Sequence, residues 1–260
     1  MEEFKKNKKR HARITAIMAV LIVICFIAGV CLEFLAEIDN TIALVLFMIA
    51  LGLVVIGFLC FILVYKIDCK VTDKMLEQLN NEIEGEYSYD YKATPIMDLL
   101  QESMYPILYK NMSAYTKESI SGKIEDISFE YYVFKYEKET FFVNNKKATY
   151  ELYIYKNSSV FSKEFFVSKN QLEEVGEFKE TSIGNIYIYT KKNEEFSEAD
   201  LPEDVFFLSV NQHTLFVFKK ALSNQLLYMR AETLEEFKEL FTKEIDKIKT
   251  TYEETRTWTK

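Results

Sequence analysis

Two long apolar runs near the N-terminus, Ile14–Leu32 and Ile42–Tyr65, constrain this chain more than any other feature. Neither contains Lys, Arg, Asp, Glu, His, Asn or Gln. At ~1.5 Å rise per residue, about 20 apolar residues cross a hydrocarbon layer ~30 Å thick, so each run is long enough to span one. The lengths predict a two-helix membrane hairpin over 14–66. Lys5, Lys6, Lys8, Lys9, Arg10 and Arg13 precede the first run, and Lys66, Lys70 and Lys74 follow the second. The loop between them holds Glu33, Glu37 and Asp39 and no base. Basic flanks stay on the cytoplasmic side, so the expected topology is two-pass in the cell membrane with both termini cytoplasmic. A cleaved signal peptide is the competing reading, but the first run is long for one and no small-x-small site closes it.

The expected division is a basic N-terminus (1–13), the hairpin (14–66), a helical connector (67–118) and an α+β soluble domain (119–260). Residues 1–66 carry seven bases and five acids, a net of +2, so the −8 of the whole chain leaves −10 on residues 67–260. Such an acidic domain argues against nucleic acid as a partner. Cys25, Cys31, Cys60 and Cys69 all lie in or beside the apolar runs, which leaves no cysteine for a disulfide framework or thiolate zinc site farther on. The composition is rich in Lys, Phe, Tyr, Ile and Asn, as an AT-rich bacterial genome would write.

Beyond the runs the hydrophobic period changes twice. Val71, Met75, Leu76, Leu79 and Ile83 continue a helical spacing to about Glu84, and Tyr87, Tyr89 and Tyr91 alternate as in an extended segment. A second helix is predicted over Pro95–Glu118. From Ile127 the period is two: Ile127, Phe129, Tyr131 and Val133 mark a strand. Phe141–Val143 and Tyr150–Tyr155 read as a hairpin around Asn144–Lys147. Phe161–Val167 and Ile183–Thr190 are further strands, and Phe206–Val210 with Leu215–Phe218 form a second hairpin around Asn211–His213. Thr233, with Glu236 three residues on, is a capping-box start for a final helix to Tyr252 whose buried stripe should be Phe237, Leu240 and Phe241. The expected fold is therefore a membrane helical hairpin plus an antiparallel sheet flanked by helices, ending in a C-terminal amphipathic helix.

The chemical motifs are weak. Ser121-Gly122-Lys123 lacks the earlier glycine and the following Ser or Thr of a phosphate loop, since Lys117 and Ile124 stand there; it reads as a tight turn into a strand. His11 and His213 are too separated in character to pair on a metal. Glu198, Asp200, Glu203 and Asp204 lack the spacing and glycine of a calcium loop. Glu235, Glu236 and Glu239 suit the first turns of a helix, where acids meet the dipole. We assign no catalytic, cofactor-binding or metal-ligating residue and expect no cofactor. The 17 Tyr and 21 Phe fill cores, and they also line peptide or lipid grooves. The apolar runs hold no ionisable relay for transport and read as an anchor.

From Glu118 to Tyr136, Glu-Ser-Ile-Ser-Gly-Lys-Ile-Glu-Asp-Ile-Ser-Phe-Glu-Tyr-Tyr-Val-Phe-Lys-Tyr resembles the opening segment of an uncharacterised bacterial two-transmembrane family, the domain of unknown function thirty-one thirty-seven. The likeness extends over residues 10–250, with Tyr91 to Pro95 as a Tyr-x-x-x-Pro-like element and Ile120–Phe129 as its motif-like part. It departs after Tyr136, where the family has a longer Gly-containing strand pair and Thr140–Tyr155 is Gly-free. The resemblance implies two membrane helices and an α+β domain, and no established activity. The layout is also similar to bacterial pleckstrin-homology-like membrane proteins, a likeness of arrangement only. Three functions follow as expectations. The first is a membrane-anchored interaction or scaffold domain with a protein or peptide partner, tethered to the lipid bilayer through residues 14–66. The alternatives are a lipid- or small-ligand-binding module, and an enzyme with no recognisable motif.

Overall fold

A computed structural model describes residues 41–103, 112–138, 149–157, 160–161, 163–172, 177–191, 201–221 and 226–259, with scattered helical residues between 6 and 27. The chain divides into two compact units, Met1–Leu79 and Asn80–Lys260.

In the first unit the second apolar run begins α1 (Thr41–Asn81), one continuous helix of 41 residues. It does not stop at Tyr65 but carries on through Lys66, Asp68, Lys70, Asp73 and Lys74. Among the described residues no helix is long and apolar enough to cross a membrane. That finding overturns the membrane hairpin over 14–66 in the expected fold class and the two-pass cell-membrane placement with cytoplasmic termini. The apolarity belongs to part of a longer helix whose later turns are charged, and the first run is described only at scattered positions. The acidic loop at 33–40 lies outside the described residues.

The second unit is a single antiparallel sheet, in spatial order β1-β2-β3-β4-β9-β8-β5-β7-β6. In chain order the strands are β1 (Ser88–Asp90), β2 (Met112–Ile124), β3 (Ile127–Lys138), β4 (Thr149–Lys156) and β5 (Phe165–Ser168). They continue with β6 (Lys179–Ile183), β7 (Ile186–Thr190), β8 (Val205–Asn211) and β9 (Thr214–Lys220). Among the described residues three α-helices accompany them: the short α2 (Met97–Glu102) and α3 (Leu227–Arg230), and the 22-residue α4 (Leu234–Thr255).

Because side chains alternate across a strand, the register sorts residues into two faces. One face gathers Phe134, Leu152, Ile154, Phe166, Tyr189, Phe207, Phe216 and Phe218 into an apolar core, joined by Ile96 and Leu100 around α2. The other carries Tyr89, Phe129, Tyr131, Tyr153 and Tyr155, against which α4 lies. Phe237 meets Tyr89 at 5.3 Å between ring centroids, Phe241 meets Tyr87 at 6.2 Å, and the Tyr155 hydroxyl donates to the Ile248 carbonyl at 2.7 Å. The α4 start is capped as its sequence requires, with Thr233 Oγ1 accepting from Glu236 N–H at 3.1 Å. Its buried stripe is Phe237, Phe241, Ile245, Ile248 and Tyr252, while Leu240 is only half-buried. Spacings of four, four, three and four keep that stripe on one face; Leu240 falls to its side.

Three further expectations change. The helix predicted over Pro95–Glu118 shrinks to α2, and Met112–Glu118 belongs to β2. The long ladder of β2 with β3, from Met112↔Lys138 to Ile124↔Ile127, outweighs the local helical spacing. Gly122 lies inside β2, opposite Phe129, and the turn falls later at Glu125, where φ is 54°. A Cβ on Gly122 would sit 2.4 Å from a Tyr87 ring carbon and 2.7 Å from the Glu86 carbonyl oxygen, so glycine there permits close approach of the neighbouring chain. Ile183–Thr190 is a hairpin rather than one strand, turning at Gly184-Asn185 with Gly184 at φ 58°. Phe141–Val143 lies outside the described residues.

Candidate functional site

Between the sheet and α4 runs a row of buried polar groups. In β2 the register slips between Thr116 and Glu118, and such a bulge re-aims side chains. Glu118 Oε2 accepts from the Tyr89 hydroxyl at 3.0 Å and from the Leu227 N–H at 2.7 Å. It thereby serves the first turn of α3, which has no capping side chain of its own at Leu226. Burial pushes the Glu118 carboxyl above the usual carboxylate range, and these two donors only partly offset it. One strand pair away, Glu151 Oε2 accepts from the Tyr153 hydroxyl at 2.7 Å, and its Oε1 meets Lys247 Nζ at 2.7 Å. Lys247 also reaches Glu244 at 3.1 Å and stands 5.7 Å and 5.9 Å from the Tyr131 and Tyr153 ring centroids. Burial alone would lower the Lys247 ammonium, but Glu151 and Glu244 outweigh it and hold it above the ordinary lysine value. On the far side of Tyr153, Lys219 pairs with Asp204 at 2.8 Å and faces Glu254 at 3.8 Å.

A general base or nucleophile needs a lone pair turned toward a reactant. Here the carboxylates and ammoniums turn toward one another, across the helix–sheet junction. The row fixes the register of α4 on the sheet, and breaking one partner would strand a buried charge. It is a clamp.

The sheet's two outer strands offer different chemistry. At β1 the Tyr89 N–H donates to Asn80 Oδ1 at 2.8 Å, and Asn80 Nδ2 donates to the Tyr89 carbonyl at 2.9 Å. A side-chain amide thus answers both backbone groups that point away from β2, as a further strand would. At β6 the two-residue loop Gly184-Asn185 makes Ile183↔Ile186 the hydrogen-bonded pair that closes the hairpin. Alternation then turns the N–H and C=O of Glu180 and Ser182 outward. Lys179, Glu180, Thr181 and Ser182 are exposed, and among the described residues no strand pairs with that side. Half-buried Phe178 stands just before β6, with its ring 4.8 Å from Phe166 and the Lys191 ammonium 5.3 Å from its centroid. Tyr187, also half-buried, adds a second ring to this rim of the core.

The residues singled out from sequence do not converge on this edge. His213 is exposed in the β8–β9 turn at φ 64°, and its Nδ1–H donates to the Phe161 carbonyl at 2.7 Å. Asp204 is committed to Lys219, and Glu235, Glu236 and Glu239 lie exposed at the start of α4. His11, Glu198 and Asp200 lie outside the described residues. Among the described residues no group of His, Cys, Asp and Glu is arranged to hold a metal ion. Sequence reasoning missed Asn80, Glu180, Ser182 and Phe178. A signal for the β6 hairpin was present, the Gly184-Asn185 pair between two isoleucines. No family model matches the chain, and neither a curated protein nor a solved structure matches it.

Proposed function

We propose that this chain is an interaction module that binds an extended peptide by adding it as a tenth strand beside β6. The observation that carries the reading is the outer side of β6: exposed backbone donors and acceptors at Glu180 and Ser182, next to the aromatic rim of Phe178 and Tyr187. Strand addition draws affinity from main-chain hydrogen bonds and specificity from pockets for alternate side chains. Each such bond contributes ~0.5–1.5 kcal/mol net, so four bonds and one aromatic contact support weak, micromolar-to-millimolar recognition. The clamp beneath α4 lies at the other end of the sheet, and its charged groups are engaged with one another.

Selection of peptides from a random display library against the full chain tests the reading. Ser182→Pro deletes one outward N–H without touching the β6–β7 ladder, because proline is tolerated on an edge strand. The expected result is at least ~10-fold weaker binding of the selected peptides, about 1.4 kcal/mol, with an unchanged melting temperature, while Ser182→Ala binds normally. Peptides that bind the proline variant as tightly as the parent chain rule out docking at β6.

A further inference from the structure

The β6 edge also carries enough register and charge to specify its peptide. We infer that the occupant is a net-basic segment, antiparallel to β6, of pattern β-branched–basic–x–aromatic. The inference rests on the strand-docking reading above and deepens it.

Direction comes from the sheet, in which every pairing is antiparallel. Phase comes from the hairpin. With Glu180 and Ser182 turned outward, peptide residues opposite them form the hydrogen-bonded pairs, and the residue opposite Thr181 falls between. Side chains then follow from face. Glu180 pairs with Tyr189 in β7 and so lies on the core face that holds Phe166 and Tyr189. Its carboxylate accepts from Gln171 Nε2 through Oε1 at 2.9 Å and also from the Tyr189 hydroxyl; a carboxylate has further lone pairs, so on this exposed residue it can take a cross-strand base as an added charge-assisted partner. Two residues earlier on the same face stands Phe178, so the peptide residue two positions past the base meets an aromatic ring. Opposite exposed Thr181, on the other face, a β-branched residue gives a favourable cross-strand pair. The −10 charge of residues 67–260 adds a general attraction for a basic peptide and repels acidic ones.

The probe is the synthetic peptide Gly-Thr-Val-Lys-Thr-Phe-Gly, labelled for fluorescence polarisation against the full chain. Three relatives accompany it: Glu in place of Lys, Ser in place of Phe, and the reversed sequence. The parent chain should prefer Lys over Glu at the central position about two- to fivefold. Glu180→Lys should reverse that preference while leaving the penalty for losing the aromatic residue intact. The reversed peptide should bind more weakly than the forward one. Glu180→Lys gives up the Gln171 and Tyr189 contacts of an exposed side chain but spares the backbone ladder with β7, and its melting temperature, expected unchanged, checks that the fold persists. Unchanged Lys preference in Glu180→Lys, or tighter binding of the reversed peptide, overturns this inference; if Ser182→Pro still abolishes binding, docking at β6 itself stands. Binding that survives Ser182→Pro overturns both. A concentration-dependent dimer in sedimentation that Ser182→Pro dissociates, with no peptide bound by the parent chain, also overturns both and assigns the edge to a second copy.

Discussion

At one end of the sheet the outer backbone is answered by a side chain; at the other it faces outward. β1 is three residues long, its Tyr89 N–H and C=O are held by Asn80, the Tyr89 ring meets Phe237 of α4, and the ring of Tyr87 just before the strand meets Phe241. β6 is five residues long, exposed along most of its length, and flanked by half-buried rings. Proteins blunt sheet edges because an open one recruits other strands. The chain has blunted one edge with an amide that imitates a strand, and the device is missing among the described residues at the other. Two edges of one sheet can therefore serve opposite ends: closure and recruitment.

The largest test of this contrast is Phe237→Ala. Phe237 is fully buried and packs on Tyr89, so truncation should cost ~3–5 kcal/mol by urea unfolding. Phe178→Ala, at the rim beside β6, should cost about 1 kcal/mol, since only part of that ring leaves water on folding. Equal losses would mean the two edges are packed alike.

Next in size is Asn80→Ala, which orphans both Tyr89 backbone groups. The expected cost is ~1–3 kcal/mol. Hydrogen exchange should show the Tyr89 amide protected in the parent chain and far faster in the variant, while the Glu180 and Ser182 amides exchange quickly in both. A Tyr89 amide already fast in the parent would remove the capped edge from the comparison.

The smallest effect concerns Glu118, which ties β1 to α3. Its folded pKa is raised, by burial first, above the unfolded value of ~4.3. A raised group gives stability that is fully present below the unfolded pKa and is lost as pH rises through the folded one. Glu118→Gln keeps an oxygen for Tyr89 and Leu227 without the charge. Relative to this variant, the parent chain should lose stability as pH rises above the unfolded value of ~4.3 and through the raised folded one. A difference between the two that does not vary over that range would show that Glu118 is not desolvated.

Particular residues show how far the sequence reads. Ile127, Phe129, Tyr131 and Val133 alternate, and they form β3 in that register; Thr233 and Glu236 mark the start of α4 to the residue. The edges were not legible. Asn80 ends a helix and Tyr89 sits nine positions on in a strand, and no local pattern says that an amide will complete a ladder. Glu118 and Glu151 look like ordinary solvated acids in alternating strands, yet both are buried. The two apolar runs misled most, because run length measures what a segment can do in hydrocarbon and says nothing of the helix it becomes part of.

By itself the sequence determined local periods: where the chain alternates, where it caps a helix, and where residues 67–260 carry a surplus of acid. These depend on neighbours within a few positions, which is the range of propensity and of hydrophobic pattern. Tertiary structure decided that β9 lies beside β4 and β5 beside β8, so that β1 and β6 became the outer strands. It also decided which of those two would be closed. Strand order is set by packing many side chains across distant segments at once, and an edge exists only when that packing has left a strand without a neighbour.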